Sequence, residues 1–509
     1  MPSDRKAWDY EPVAPLSGRA PRAGASLVAE DDEGAAVEIS SQTSDSEIST
    51  TEKKSAKKEK ARDARGGILK RGHGLTYAAL FLFTVVLYLR PGELYPSALT
   101  ASIAFYIGVL TLGVFAVSQL GLEGTLTART REVNLILIFC LFGLLSIPLA
   151  LDPRLAWETF SGVFIRCVII FVVMVNAVRT TKRLRGQVWV ALAAAFCLSF
   201  VAVNDYRLGN LTVEGYRVGG VGGGMFGNPN DLALFLVTVA PVSAAMFFGS
   251  RSVLGKAVYA LTTLLLTAAV VVTFSRGGFL GLACAYTVMA WKLGRKNRVG
   301  VVLAVLACAA LLVAVAPGNY LLRLLSIVSS DLDAVGSTGM RRQILLRSIW
   351  TAIVNPINGV GMGNFPLVSF RDLQSHNSYT QVAAEMGIPA LVVYVLFVWT
   401  PFKGLRRIER ETFEGRKRSR FFHLSVGVQS AMVGYMVSSF FGSVAYLWYV
   451  YYVVGYAVCL RRIYDSEEAK KLQVTTERAE GAGDVDEGAA YGLQTAPAGL
   501  RRSEGFGES

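Results

Sequence analysis

The sequence predicts an all-α protein, a polytopic membrane helical bundle of about twelve transmembrane helices with a long extracytoplasmic loop between the ninth and tenth spans. Three observations predict it. Of 509 residues, 52% are hydrophobic and only 17% are charged, which leaves too little polar surface for a soluble globule. The apolar residues are gathered into windows, recurring from Leu75 to Leu460, that are long enough to cross a hydrocarbon core ~30 Å thick. Backbone inside lipid must bond within its own segment, and the windows lack the short alternating strands of a barrel, so they are helices.

Taken in order, residues 1–73 form a polar N-terminal tail. Its first 50 residues are rich in Ser, Ala, Gly and acids and bury too little to offset the cost of ordering, so they are expected to be disordered. A basic run from Lys53 through Lys60 to Arg71 follows, placed as a cytoplasmic anchor at anionic lipid. The tail holds no apolar core of the secretory kind, so the first helix is expected to act as its own insertion signal. Spans are expected near 75–90, 98–119, 134–151, 161–178, 187–204, 231–249, 257–274, 277–293, 299–316, 384–402, 422–440 and 443–460. The membrane domain is 74–462, with 317–383 as its long periplasmic loop, and 463–509 is a second disordered cytoplasmic tail.

Charge sets the orientation. With the N-terminus inside, the connections Arg179 to Arg185, Arg251 to Lys256, Lys292 to Arg298 and Lys403 to Arg420 are cytoplasmic, and they are the most basic ones, as the positive-inside rule requires. Both termini are then cytoplasmic. Under this topology every lysine lies inside, whereas the exterior carries arginine alone: Arg90, Arg154, Arg207, Arg217, Arg276, Arg323, Arg341, Arg342, Arg347 and Arg371. A guanidinium keeps its charge and offers forked donors that match phosphate oxygens, so an arginine-only outer face suits a phosphorylated anion. A general preference for Arg over Lys is the plainer account.

The formal net charge of +13 is explained by this placement and does not require a nucleic acid. All six cysteines, Cys140, Cys167, Cys197, Cys284, Cys308 and Cys459, fall in apolar windows, where they behave as small hydrophobes and offer neither a disulfide framework nor metal-ligand spacing. Asp331-Leu332-Asp333 has the form of a metal-binding acidic pair, but Asp484-Val485-Asp486 repeats it in the tail. No metal and no cofactor is expected.

Two outer connections are long, and long loops between close spans are usually functional. The first holds Tyr216-Arg217-Val218-Gly219-Gly220 and Gly224-Met225-Phe226-Gly227-Asn228-Pro229-Asn230-Asp231. Its glycines permit close backbone approach, and Asn228 or Asp231 can cap the following helix with its positive end outward. A flexible turn and an anion cradle both fit. Thr273-Phe274-Ser275-Arg276-Gly277-Gly278 makes a tight outer turn, where Arg276 either serves a site or snorkels to lipid phosphate. Arg166 lies a turn inside its span.

The longer loop holds Met340-Arg341-Arg342-Gln343-Ile344-Leu345-Leu346-Arg347-Ser348-Ile349-Trp350, with apolar residues at helical spacing, which predicts an amphipathic helix on the bundle or in the interface. Asn355-Pro356-Ile357-Asn358-Gly359-Val360-Gly361-Met362-Gly363-Asn364-Phe365, Ser375-His376-Asn377-Ser378-Tyr379 and Glu385-Met386-Gly387 follow. His376 is the one outward histidine of this topology, since His73 and His423 lie at the cytoplasmic boundary. Imidazole takes a proton from an alcohol near neutral pH, so His376 is the candidate general base, although a lone loop histidine is more often a surface residue. Glu385, nine positions on, would lie on the opposite face of a shared helix and does not pair with it; it is free to hold an arginine.

The ordered series FGNPND, TFSRGG, the arginine helix, NPINGVGMGNF, SHNSY and E-x-G resembles the bacterial O-antigen ligase and O-antigen polymerase superfamily, over about 210–400. The resemblance implies a membrane glycosyltransferase of surface polysaccharide (lipopolysaccharide) biosynthesis in the bacterial inner membrane. Such enzymes move a glycan from a polyprenyl (undecaprenyl) diphosphate carrier to a glycan or lipid acceptor outside the membrane, without metal or nucleotide sugar. It implies diphosphate-binding roles for Arg217, Arg276 and Arg342, with Arg341 as the alternative, and a catalytic role for His376. Asn228, Asn230, Asn377 and Glu385 are supporting residues. The expected partners are the lipid-linked donor, the acceptor and membrane lipids. A lipid-linked glycan flippase is the rival reading; against it, no internal repeat is evident and the polar features collect in outer loops.

Overall fold

The computed structural model describes residues 73–213, 215–219, 224–295, 297–303, 337–416 and 419–492. The expected N-terminal tail with its basic run, most of the ninth span at 299–316, and Asp331-Leu332-Asp333 lie outside the described residues.

The described residues are helical. Their only extended pairing is an isolated antiparallel bridge, Val213 with Arg217. In chain order the helices are α1 (73–89), α2 (Ala98–Glu123), α3 (Arg131–Ser146), α4 (Pro153–Ala177), α5 (Thr181–Leu208), α6 (Pro229–Gly249), α7 (Val253–Val272), α8 (Arg276–Leu293), α9 (Ser337–Val354), α10 (Ser378–Glu411), α11 (Arg420–Ser438) and α12 (Trp448–Gly492). Polar side chains start them. Ser97, Thr130, Thr180, Asn228, Ser252, Ser275, Asn377 and Ser419 each accept a hydrogen bond from a first-turn amide, which satisfies a donor that lipid cannot.

Eight of these helices are long and apolar enough to cross a membrane, so the chain is a multi-pass membrane protein. The expected twelve spans are not all matched. α3 is only 16 residues long, and α8 is bounded by Arg276 and Lys292. The expected twelfth span lies in α12, whose apolar stretch is diluted by tyrosines and ends at Arg461 and Arg462. The same helix runs on through Gly492, past the boundary expected at 462.

Helix α6 is buried over most of its length and sits among α7, α8 and α11. Glycine allows the tight approach of α8 to α11: a Cβ on Gly281 would stand 2.0 Å from Ser438 Oγ and 2.7 Å from the Gly434 carbonyl oxygen. Small residues at a crossing let membrane helices pack backbone to backbone.

One end of the bundle is tied by ion pairs. Arg461 holds the fully buried Glu132 through two hydrogen bonds of 2.7 Å. Glu409, also buried, accepts from Lys292 at 2.6 Å and Arg295 at 2.5 Å. Glu123 accepts from Arg179, from Gln119 and from His73. Burial alone would raise the Glu123 pKa, but the Arg179 contact outweighs it and holds the carboxyl down at about 2, so it stays ionised.

Candidate functional site

The other end of the same helices holds the motifs singled out from sequence. The caps Asn228, Ser275 and Asn377 start α6, α8 and α10 there, so three helix N-termini present their positive ends on one side of the bundle. A glycine-rich turn leads into α6, and the expected cap at Asn228 is observed, its side chain accepting from the Asn230 amide at 2.8 Å.

Arg217 clamps the first two motifs together. It is buried at 3% exposure. Its Nε donates to the Thr273 carbonyl at 2.9 Å and its Nη2 to Asn230 Oδ1 at 2.9 Å. The Val213–Arg217 bridge fixes the backbone that delivers it. Tyr216 adds an edge-on ring contact to Phe274. Arg276, at 7% exposure, occupies the first position of α8 directly after the Ser275 cap, so its guanidinium does not extend freely into lipid.

The arginine helix α9 brings Arg341 to this place and leaves Arg342 outside. Arg341 is half-buried and lines a narrow cleft with Asn230, Asp231, Ser275, Gly277 and Gly442. Arg342 is exposed. The buried stripe of α9 is Ile344, Ser348 and Thr351, and Arg341 falls in phase with it at i−3 whereas Arg342 does not. The expectation that favoured Arg342 over its neighbour is therefore not the placement observed. The cleft holds only 20 Å³, room for one water.

His376 is tied to the turn between α11 and α12, whose Gly442 and Val444 line the cleft. Its backbone is left-handed, φ 52°, an unfavourable conformation for a non-glycine residue. Its amide donates to Ser443 Oγ at 2.9 Å. Ser378 Oγ, two residues on, donates to the Gly442 carbonyl at 2.7 Å, and the Val444 amide donates back to Ser378 Oγ at 3.0 Å. Burial, and then the positive charge of Arg341, lower the His376 pKa; the imidazole is neutral near pH 7.

Asn377 caps α10, accepting from the Tyr379 amide at 2.9 Å and the Thr380 amide at 3.1 Å, while its buried Nδ2 has no partner. Glu385 has a different place. It is buried beside Gly363, Phe365 and Tyr446, and among the described residues it forms no ion pair with an arginine, contrary to the role left open for it. Its backbone carbonyl accepts from the Gly361 amide at 2.9 Å, and Gly387, φ 88°, breaks α10 just after it. The NPINGVGMGNF loop is docked against this break: a Cβ on Gly359 would stand 2.3 Å from the Glu385 carbonyl carbon, and one on Gly387 2.1 Å from the Ile357 oxygen. Its glycines serve close backbone packing.

The segment missed from sequence is the turn Phe441-Gly442-Ser443-Val444. It touches both the SHNSY motif and α8, where a Cβ on Gly277 would stand 2.6 Å from that of Phe441. A polar Gly-Ser pair closing an apolar span was the available signal. Among the described residues no cluster of three His, Cys, Asp or Glu side chains is placed to hold a metal ion.

Residues 261–395 match the family model described as O-antigen ligase. That stretch contains Arg276, Arg341, Arg342, His376, Asn377 and Glu385; Arg217, Asn228 and Asn230 precede it. No curated protein matches the chain.

Proposed function

We propose that this chain, a member of the O-antigen ligase and polymerase superfamily by its central domain, moves a glycan from a polyprenyl diphosphate carrier to an acceptor hydroxyl at the periplasmic face. The observation that carries the reading is that Arg341 lines the cleft while three other groups adjoin it beside three helix N-termini: Arg217 bonds to cleft-lining Asn230, Arg276 lies between cleft-lining Ser275 and Gly277, and His376 feels the charge of Arg341. A dense set of fixed positive groups suits a diphosphate, and the cleft is too narrow to swallow one. The headgroup then lies across its mouth, contacted by the arginines.

The chemistry follows from the charges. Neutral His376 takes the proton of the acceptor hydroxyl as its oxygen bonds to the anomeric carbon. The bond from that carbon to the diphosphate oxygen breaks, and its electron pair leaves on the carrier, where the arginines stabilise the charge. The proton is then released from His376 to water. A diphosphate is already a good leaving group, so the step needs no nucleotide. For the isoprenoid there is an apolar cleft of 620 Å³ between α1, α2 and α4, lined by Val86, Ile103, Val109 and Ile169 among others. The same reading places both termini in the cytoplasm.

His376→Ala tests the proposal. In proteoliposomes supplied with labelled lipid-linked glycan from the source cell and its acceptor, the variant should insert normally and lose transfer; wild-type transfer rates would remove His376 from the reaction.

A further inference from the structure

At the end of the bundle remote from the arginine cleft, α5, α7 and α11 all begin, capped by Thr180, Ser252 and Ser419. Between their first turns lies a second cavity of 530 Å³. Lys182, Arg185, Arg251, Arg420 and His423 line it, against a single acid, Glu467, whose Oε1 accepts from Thr181 Oγ1 at 2.9 Å. Its inner wall is apolar, formed by Val188, Met246, Leu424 and Leu460.

This concentration of cations differs from the rest of that end of the bundle. There the chain supplies its own counter-charges: Glu132 for Arg461, Glu409 for Lys292 and Arg295, Glu123 for Arg179. Among the described residues no carboxylate pairs with Lys182, Arg185 or Arg420. Like charges gathered round a cavity, with three helix N-termini aimed the same way, repel one another unless an anion sits between them. Guanidinium and ammonium donors select phosphate oxygens, and an apolar wall directly behind them selects a ligand with a hydrocarbon part.

We propose that this cavity is a binding site for the phosphate group of an anionic phospholipid, separate from the glycan-transfer site. The headgroup sits among Lys182, Arg185, Arg251 and Arg420, and an acyl chain follows the apolar wall. The site is independent of the reading given to His376 and the arginine cleft.

The test uses the full chain in nanodiscs containing equal phosphatidylglycerol and phosphatidylcholine. Native mass spectrometry should find phosphatidylglycerol retained in preference, and a photoreactive phosphatidylglycerol should crosslink to 181–188, 246–259 and 420–424. Arg185→Gln with Arg420→Gln should lower the preference about 25-fold, roughly fivefold for each cation removed, while Lys403→Gln with Arg406→Gln, exposed cations outside the cavity, should leave it unchanged. Millimolar orthophosphate distinguishes the sources: displacement of the lipid by orthophosphate would support the phosphate site but assign it to a soluble ligand. Equal retention of the two lipids, crosslinks spread evenly over the chain, or the same loss in the control pair would overturn the proposal. If the cavity variant fails to fold, the wild-type retention and crosslink map decide.

Discussion

Arg341 and Arg342 are neighbours of identical chemistry, and replacing each by Gln separates a site residue from a surface one. Arg341 is half-buried at the cleft, whereas Arg342 is exposed. A hydrogen bond to a charged group contributes ~1.5–3 kcal/mol. A donor aimed at charge that develops in the transition state is worth about 10²–10³ in rate when deleted. Arg341→Gln should therefore lower transfer by about two to three orders of magnitude, whereas a substitution at the exposed Arg342 falls within ~0.5 kcal/mol, roughly twofold. The two variants also differ in pH dependence. Burial and the Arg341 charge both hold the His376 pKa below its usual value, so the acid limb of the wild-type rate lies below the usual histidine range. Removing Arg341 should move that limb upward, because the protonated imidazole no longer faces a positive neighbour; removing Arg342 should leave it in place. The assay is the rate of labelled-glycan transfer in proteoliposomes between about pH 5 and 8. Equal losses in the two variants, or an acid limb that stays put in Arg341→Gln, would refute the assignment of α9's inward face.

Arg276→Lys keeps the charge at the start of α8 but loses the fork, and transfer should fall by about tenfold or more with insertion unchanged; full activity would show that charge alone suffices. Glu132→Gln leaves the half-buried Arg461 without the buried carboxylate it holds and should cost at most ~3 kcal/mol, read as a lower unfolding temperature in detergent. Gly281→Ala places a Cβ against Ser438 and the Gly434 carbonyl and should lose ~1–3 kcal/mol by overpacking; Ser438→Ala in the same chain should restore only part, because the carbonyl remains.

Eight of the twelve expected spans were legible in the sequence because lipid demands unbroken apolar windows, but the helices obey hydrogen bonding as well as hydropathy. α5 begins at Thr181, not near 187, because Thr180 caps it and its charged first turn lies beyond the apolar window. α10 begins at Ser378, not near 384, because Asn377 caps it and its uncharged polar first turn, Ser378-Tyr379-Thr380-Gln381, lies ahead of the apolar window, and the earlier start sets His376 directly before the cap. For α9 the resemblance names Arg342 first and Arg341 as the alternative, whereas the helix has its buried stripe in phase with Arg341. Its large apolar residues Leu346, Ile349 and Trp350 are exposed, while Ser348, Thr351 and Ala352 are buried with Ile344. Small residues mark the protein-facing side of a membrane-associated helix and large apolar ones its lipid side, the reverse of a soluble helix. Read that way, the stripe would have picked Arg341 from the sequence.

What composition does not reveal is the strained backbone at the site. Phe274 and His376 are both left-handed, φ 51° and φ 52°, and each immediately precedes an N-cap, Ser275 of α8 and Asn377 of α10. Such conformations cost of order 1–3 kcal/mol each and persist only where the surroundings enforce them. The enforcement is visible: Tyr206 and Tyr216 pack on the Phe274 ring, and Ser443 holds the His376 amide. A left-handed residue ahead of a cap turns the chain abruptly, so that a helix can begin at the cleft itself. The two devices bring separate segments to the same place, one supplying Arg276 and the other His376. A relaxed residue at either position would remove the local strain and would also redirect the start of the helix that follows. On that account the strain is tied to the position of Arg276 and His376, and its stabilising contacts from Tyr206, Tyr216 and Ser443 belong to the candidate site as much as the arginines do.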